Sequence, residues 1–412
     1  MASVKVSESD QSAQAQVLPK AGAVMAILFL IFFLGTSDNQ MLSPLLPLIA
    51  RDFGLESGQV GEMLGPAYAL AAAAAALFIG PLSDRYGRRR FLLYASILFG
   101  LSLLAAAFVK DARLLAAVRV LTGLAAGTFS TCSIAYVADY FPYERRGVAM
   151  SIVQAGYFAA LVAGVPIASM LAQWQSWRAS FAFFAALAAA AFLLALALLP
   201  EDRPEPGASG GEARRLDNIK VVFQGADRIA SIAAAFCVSC GFVGFIFYLG
   251  SWLTMDFRLT TRGVGLFFII VGVAALIGAL TAGPVADKVG KRVVSLASTL
   301  LLAAMLALIP QLGWGVFLIA AFLLASVAFA FRQGPLQALA TEMVPPGSRG
   351  ALVAMRNTAS QIGIAVSTAV SGLLYDRSGY AAVGIFCGVV TLAAAACILL
   401  MKEPQKEGSG HR

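Results

Sequence analysis

The chain is poor in charge and in the side chains that catalyse reactions. Only 13% of its 412 residues are charged, about half the share found in a typical soluble domain. Its single histidine, His411, lies next to the C-terminus, which excludes most histidine-based catalysis and metal binding. The sequence contains no G-x-x-x-x-G-K-[ST] phosphate loop. We therefore expect no enzyme activity, no metal site, no ATP hydrolysis and no ATPase partner.

Cysteine is also scarce, and the positive charge is dispersed. The five cysteines all lie in apolar segments, and the pair Cys237 and Cys240 has no further ligand nearby in the sequence, so we interpret all five as packing residues. The net charge is +8, but the basic residues are spread over many short loops. This distribution does not favour binding of nucleic acid.

Long apolar segments make up most of the chain. Hydrophobic residues account for 59% of it, and a segment of about 20 apolar residues is enough to cross a bilayer. Twelve spans are predicted, at residues 22–46, 57–82, 91–109, 114–136, 147–172, 179–199, 229–253, 263–285, 293–310, 314–336, 350–373 and 380–401. The sequence therefore predicts an all-α integral membrane protein in contact with the lipid bilayer.

The distribution of Lys and Arg predicts the orientation. Of the 30 Lys and Arg residues, 20 fall in tails and loops on the side of the N-terminus, seven in loops on the other side and three inside spans. Such residues are in excess on the cytoplasmic side of membrane proteins. We expect both termini to be cytoplasmic, with no removable signal peptide.

A polar linker divides the chain into two similar halves. The prediction is a tail at 1–21, a six-helix bundle at 22–199, a linker at 200–226, a second six-helix bundle at 227–401 and a tail at 402–412. Matching residues recur 203 positions apart, among them Asp84 and Asp287, Asp139 and Glu342, and Arg146 and Arg349. Because separate motifs keep one offset, we infer a duplicated unit related by an axis along the membrane normal.

The loop after the second span carries a recognisable motif. It reads GPLSDRYGRRRFL from Gly80, and a weaker copy, GPVADKVGKR, begins at Gly283. The loop resembles the signature G-x-L-A-D-R-x-G-R-K-x-x-L of the major facilitator superfamily, and the resemblance extends over residues 22–401. It implies two bundles of six helices that rock about a central site, giving alternating access. In that family the first-half aspartate, here Asp84, is associated with the start of span eleven, around Ser348 and Arg349.

The resemblance and the repeat together define candidate gating residues. Glycine permits sharp turns, and an aspartate can cap a helix N-terminus. The candidates are Gly80, Asp84, Arg85, Gly87, Arg88, Asp139, Arg146, Asp287, Glu342 and Arg349.

Two charged residues inside spans are candidates for proton coupling. Arg119, in span four, resembles the buried arginine of the family's second motif, and Asp38 is the only acid well inside span one. Counting from the outer ends of their spans at 1.5 Å per residue, we expect similar depths and a possible contact. The hypothesis is a pair that couples protons to transport; the alternative is a fixed structural ion pair.

Further polar and aromatic residues inside spans are candidates for substrate binding, because such residues usually face the bundle interior or a cavity. They are Asp38, Arg119, Gln154, Tyr157, Tyr248, Arg332, Arg356, Asn357 and Gln361. The excess of arginine favours an anionic or polar substrate. Alternatively, Arg332 and Arg356 brace the cytoplasmic gate beside Glu342.

Two features of the sequence favour export over uptake. Residues 156–166 partly match the glycine- and proline-containing span-five motif of exporters in the family, and WRASF from Trp177 resembles WR-x-x-F before span six. We expect a monomeric transporter in a bacterial inner membrane that exports small organic compounds, driven by a proton gradient and without a cofactor. The alternative is a proton-coupled importer of a small organic anion, and a sensor built on a transporter fold is a third possibility.

Overall fold

The computed structural model describes residues 20–201, 221–345 and 348–401, apart from the side chains of residues 143 and 144. Every regular element within these ranges is helical. The predicted tails at 1–21 and 402–412 and the predicted linker at 200–226 lie largely outside the described residues. The all-helical prediction is therefore confirmed for the part of the chain that is described.

The described part of the first half contains six helices. They are α1 (Ala21–Phe53), α2 (Ser57–Tyr86), α3 (Arg88–Phe108), α4 (Ala112–Tyr140), α5 (Tyr143–Ala159, continued by a π-helical stretch, Ala160–Gly164, and by Val165–Trp174) and α6 (Trp177–Leu198). Several extend beyond the predicted spans, because helical hydrogen bonding continues past the apolar segment that hydropathy detects.

The second half begins with α7 (Ala226–Met255), α8 (Thr261–Val289), α9 (Lys291–Leu308) and α10 (Val316–Glu342). The last element, Arg349–Leu400, has 52 residues and is broken at Gly379, where φ is 75°. It therefore forms two spans, α11 (349–378) and α12 (380–400). Among the described residues, eleven helical elements are long and apolar enough to cross a membrane, and with this break they give the twelve predicted spans.

Two glycines form equivalent turns in the two halves. Gly87 separates α2 from α3 with φ 96°, and Gly290 separates α8 from α9 with φ 106°. Residues with a Cβ rarely adopt these angles, so the turn favours glycine at both positions. The turn expected from the motif is thus present twice, 203 residues apart.

Arginines next to these turns bind the ends of other helices. Arg89 donates a hydrogen bond to the carbonyl of Leu196 at the end of α6, at 2.8 Å. Arg292 donates in the same way to Leu399 at the end of α12. Both contacts satisfy a free terminal carbonyl and place positive charge at the negative end of a helix dipole. The repeat read from the sequence therefore extends to individual contacts.

The two halves meet at the end of the bundle that is predicted to face outward. The Asp376 carboxylate of α11 accepts hydrogen bonds from the backbone N–H groups of Gly58 and Gln59 in α2, at 2.8 and 3.0 Å. The Gln173 side chain of α5 accepts from the N–H of Arg262 in α8, at 2.7 Å. In each contact, a side chain of one half caps the first turn of a helix in the other half. We call these two contacts the outer caps.

A further contact joins α1 to α7 near the outer caps. The Ser43 hydroxyl donates to the carbonyl of Ile246 at 2.6 Å and accepts from the N–H of Gly250 at 3.0 Å. A Cβ at Gly250 would lie 2.1 Å from the carbonyl oxygen of Ser43. The two backbones therefore approach each other so closely that only glycine fits.

The contacts between the halves indicate which end of the bundle is closed. The outer caps and the contact between Ser43 and α7 join the two halves at the predicted outer end. The structure therefore describes a state that is closed at the predicted outer end.

Candidate functional site

A cavity of about 230 Å³ lies between the two halves. Helices α1, α2, α4 and α5 of the first half and α7, α8, α10 and α11 of the second half contribute to its wall. Most of the wall is apolar, and the polar side chains in it include Asn39, Gln40, Tyr68, Tyr157 and Gln361. Such a wall suits a largely apolar molecule that is oriented by a few polar contacts. We call this space the central cavity.

A second cavity of about 260 Å³ adjoins the first and is lined by residues of the second half and by Tyr157 of the first half. The residues shared by the two walls include Tyr157, Phe242 and Phe329. The second cavity is more polar, and its side chains include Arg332 and Arg356. We call it the arginine cavity.

Asp38 and Arg119 form a buried ion pair beside the central cavity. Nη1 of Arg119 lies 2.8 Å from Oδ1 and 2.6 Å from Oδ2 of Asp38. The side chains are 0% and 1% exposed. The contact expected from their depths is confirmed; the proton-coupling role stays a prediction.

The packing of α2 against α4 places a ring over this pair. A Cβ at Gly123 would lie 2.2 Å from the carbonyl oxygen of Tyr68, and one at Gly127 would lie 2.6 Å from that of Ala72. Because both positions are glycine, the helices approach closely, and the Arg119 guanidinium lies 4.5 Å from the centre of the Tyr68 ring. Tyr68 also lines the central cavity, so it connects the pair to the cavity.

Helix α5 packs against α1 at the residue before Asp38. Its π-helical stretch, Ala160–Gly164, brings Gly164 against α1, where a Cβ would lie 2.2 Å from the hydroxyl oxygen of Ser37. This stretch belongs to the segment whose sequence partly matches the exporter motif. The bulge thus contacts the turn of α1 that carries the buried acid, and π-bulges are frequent at functional sites.

Of the nine predicted binding residues, five line a cavity and four do not. Tyr157, Arg332, Arg356, Asn357 and Gln361 line one or both cavities. The remaining four lie elsewhere, as follows.

Asp38 and Arg119 are buried outside both walls, with Tyr68 between Arg119 and the central cavity. Gln154 is exposed and lines neither cavity. Tyr248 is fully buried near the outer caps, and its hydroxyl donates to the carbonyl of Thr368 at 3.0 Å.

Sequence reasoning missed several residues of the site. Asn39, Gln40 and Tyr68 line the central cavity, but nothing in their spacing distinguishes them from other span residues. The outer caps did carry a signal, because Gln173 and Asp376 are 203 residues apart. That offset was available from the repeat.

The candidate gating residues cluster at the predicted cytoplasmic end. Arg88 binds Asp84 at 2.8 Å and also Asp139. In the second half, Lys291 binds Glu342, at positions shifted by 203 from Arg88 and Asp139. Each pair ties the start of the third helix of a half to the end of the fourth. The contact between Asp84 and the start of α11 stays a prediction.

The other gating candidates make fewer distinct contacts. Nε of Arg146 donates to the carbonyl of Phe141 at 2.8 Å and so braces the turn between α4 and α5. Arg85, Asp287 and Arg349 are exposed. A Cβ at Gly80 would meet only a methyl group at 3.6 Å, so this state does not require glycine there.

Comparison with known proteins identifies the family. The sequence pattern of the Major Facilitator Superfamily matches residues 28–273 and 232–412. The chain is 28% identical over 382 residues to the uncharacterised MFS-type transporter YwfA of Bacillus subtilis (strain 168), covering 87% of each chain. It is 26% identical to multidrug resistance protein D of Escherichia coli (strain K12), covering 91% of this chain and 95% of the relative.

A solved structure agrees with this assignment at the level of the fold. The crystal structure of a D-xylose-proton symporter superposes with a TM-score of 0.76, covering 91% of this chain and 97% of that one at 20% identity. The twelve helices, the internal repeat and the matched sequence pattern agree. This protein is a multi-pass membrane transporter that belongs to the Major Facilitator Superfamily.

Proposed function

We propose that this protein is a proton-coupled exporter of small organic compounds in a bacterial inner membrane, with both termini in the cytoplasm. Export would proceed by alternating access of the central cavity to the two sides of the membrane. The single observation that carries the proposal is the buried pair of Asp38 and Arg119 beside that cavity.

The chemistry of this pair suits proton coupling. Burying an ion pair is costly, and it is tolerated when the two charges compensate each other. Protonation of Asp38 would remove the carboxylate charge and leave Arg119 without its counterion. Nε and Nη2 of Arg119 already have no hydrogen-bond partner among the described residues. A proton on Asp38 therefore changes the energy of the contact between α1 and α4. Because Tyr68 contacts Arg119 and also lines the central cavity, this change can affect the cavity wall.

Helix α1 connects the protonation of Asp38 to the contact between the two halves. Helix α1 carries Asp38 and also Ser43, which binds α7 of the other half. A change in how α1 packs on α4 would therefore alter the contact between the halves. This is the kind of two-state element that coupling requires.

Two observations favour export. The α5 segment that partly matches the exporter motif forms the bulge against α1, and a full-length relative is named a multidrug resistance protein. One observation favours the alternative, a proton-coupled importer of an organic anion: the arginine cavity contains two buried arginines.

The gating proposal assigns one set of contacts to each end. The outer caps hold the outer end closed, and the paired charges at Arg88 and Lys291 organise the cytoplasmic ends of the two halves. Opening one end while the other closes gives alternating access. We propose a monomer, since a single chain forms the whole cavity.

The test uses purified protein in proteoliposomes that hold a trapped pH dye. Cationic drugs, sugars and organic anions are added outside, and lumenal pH is followed. Alkalinisation on addition of a substrate would mean that protons leave as substrate enters, which is antiport and supports export. Acidification would mean symport and would replace our proposal with the importer. The sign does not depend on the direction in which the protein inserts.

Two controls make the result specific. Liposomes without protein correct for weak acids and bases that cross the bilayer unaided. Asp38→Asn should abolish the substrate-dependent pH change while substrate binding persists. If Asp38→Asn exchanged protons at the rate of the native protein, the coupling role of the pair would be excluded.

A further inference from the structure

Arg332 is a buried and isolated charge in the described part of the chain. Its side chain, on α10, is 0% exposed. Nε, Nη1 and Nη2 all lack a hydrogen-bond partner among the described residues. A buried charge without a partner is strongly unfavourable. Arg332 contributes to the wall of the arginine cavity, so a ligand in that cavity would lie next to this residue.

Arg119 and Arg332 occupy different positions in the internal repeat. Arg119 corresponds to Phe322 in the second half, whereas Arg332 corresponds to Phe129 in the first half. Each of these two arginines therefore has a phenylalanine at the matching position of the other half. The position that matches Asp38 is not acidic, since it is Gly241 at the offset of 203 and Phe242 at the offset of 204. The second half thus has a buried arginine and no acid equivalent to Asp38.

The groups around Arg332 add donors and no acid. Arg356 also lines the arginine cavity, and its Nη1 donates to the carbonyl and hydroxyl oxygens of Ser231, while its Nε lacks a partner. Asn357 and Gln333 provide neutral polar groups. Among the described residues in this wall there is no aspartate or glutamate. The cavity therefore presents uncompensated positive charge.

Aromatic rings form the boundary with the central cavity. Phe242 and Phe329 stack with centroids 4.1 Å apart and an interplanar angle of 16°. Tyr157 also stacks with Phe329, with centroids 6.1 Å apart and an interplanar angle of 28°. The Arg332 guanidinium lies 5.6 Å from the Phe329 ring centre. Flat apolar surface and a positive charge are thus adjacent.

We propose that the arginine cavity and the neighbouring rings form a binding site for an amphiphilic organic anion. Its carboxylate or sulfonate group binds Arg332, and its flat apolar part lies against Tyr157, Phe242 and Phe329. A guanidinium recognises such oxyanions in planar, two-point geometry. The proposal specifies the substrate class and, as far as transport is concerned, rests on the proposed function.

The test compares three ligands with one ring system and different charge. Binding of 2-naphthoate, 2-naphthamide and 2-naphthylmethylammonium to the purified full-length protein is measured by isothermal titration calorimetry in detergent. We expect the anion to bind at least tenfold more tightly than the amide and the cation to bind most weakly. Equal binding of the anion and the amide would overturn the proposal.

Variants of Arg332 test whether this residue causes the preference for the anion. Arg332→Gln should remove the preference for the anion and leave amide binding unchanged, and Arg332→Lys should retain part of it. Arg258→Gln is the matched control, because it removes an exposed positive charge from the same half. Equal loss of both ligands in Arg332→Gln would assign Arg332 to bracing the gate instead. If that variant does not fold, the ligand series on the native protein and Arg332→Lys still decides.

The anion site and the proposed proton-coupled export can be refuted independently. Absence of anion preference, with proton-coupled transport of other compounds intact, would exclude this site and leave the proposed function. Anion binding that depends on Arg332, without any movement of protons, would support the site and exclude proton coupling.

Discussion

The outer caps lead to a quantitative prediction about the balance between the two end states. Asp376 caps the first turn of α2 from the opposite half, through two backbone N–H groups at 2.8 and 3.0 Å. The carboxylate is at the surface, so we use the middle of the range for a helix cap, about 1 kcal/mol. The contact joins two halves that must separate on opening. Its loss should therefore favour the outward-open state about fivefold.

Asp376→Ala tests this prediction. Spin labels at Arg51 and Asp256, one on each half at the outer end, report the separation in a chain whose five cysteines have been replaced. We expect the long-distance population in double electron–electron resonance to grow about fivefold relative to the short one, by the free energy above. The melting temperature should fall by only a few degrees, because about 1 kcal/mol shifts the melting of a large chain little.

The second outer cap provides the matched comparison. Gln173→Ala removes one hydrogen bond from a neutral acceptor, and we expect a smaller shift, about twofold to fivefold. The two sites lie on different helices, so their effects should add in free energy. An unchanged distance distribution in the double variant would refute the idea that these contacts hold the outer end closed.

Three further predictions concern stability and coupling. Gly87→Ala should lower stability by about 1–2 kcal/mol in thermal unfolding, because φ is 96°, whereas Gly147→Ala, in open space, should have little effect. Gly164→Ala should destabilise the packing of α5 on α1 by about 1–3 kcal/mol, since its Cβ would lie 2.2 Å from a hydroxyl oxygen; normal melting would contradict this. Arg119→Leu should cost about 3–5 kcal/mol because it leaves Asp38 as an unpaired buried charge. Combining it with Asp38→Leu should restore the melting temperature but not proton-coupled transport, and failure to recover stability would argue against the pair.

Much of the fold was predictable because it depends on local properties of the chain. Apolar length determines which segments span the bilayer, and backbone hydrogen bonding in lipid requires them to be helical. The glycine turns at Gly87 and Gly290 were visible in the sequence for the same reason, since a positive φ is a local demand. The offset of 203 residues relates Arg88 to Lys291 and Asp139 to Glu342, but the contacts that join them were seen only in the structure.

The site was predictable only in part. Depth along the helix was enough to bring Asp38 and Arg119 together, because both distances could be counted from helix ends. It was not enough to place Gln154, which is exposed, or Tyr248, which is buried near the outer caps. Depth gives position along the helix axis, whereas lining a cavity depends on rotation about that axis and on the neighbouring helices.

The sequence by itself determined that this chain spans a membrane with twelve helices, that its halves are duplicated and that three arginines lie inside spans. Only the tertiary structure decided which of these arginines is neutralised. Arg119 has Asp38 at 2.6 Å, whereas Arg332 has no partner among the described residues. Pairing requires side chains from different helices to meet, so it follows from helix packing, which no single segment of sequence contains.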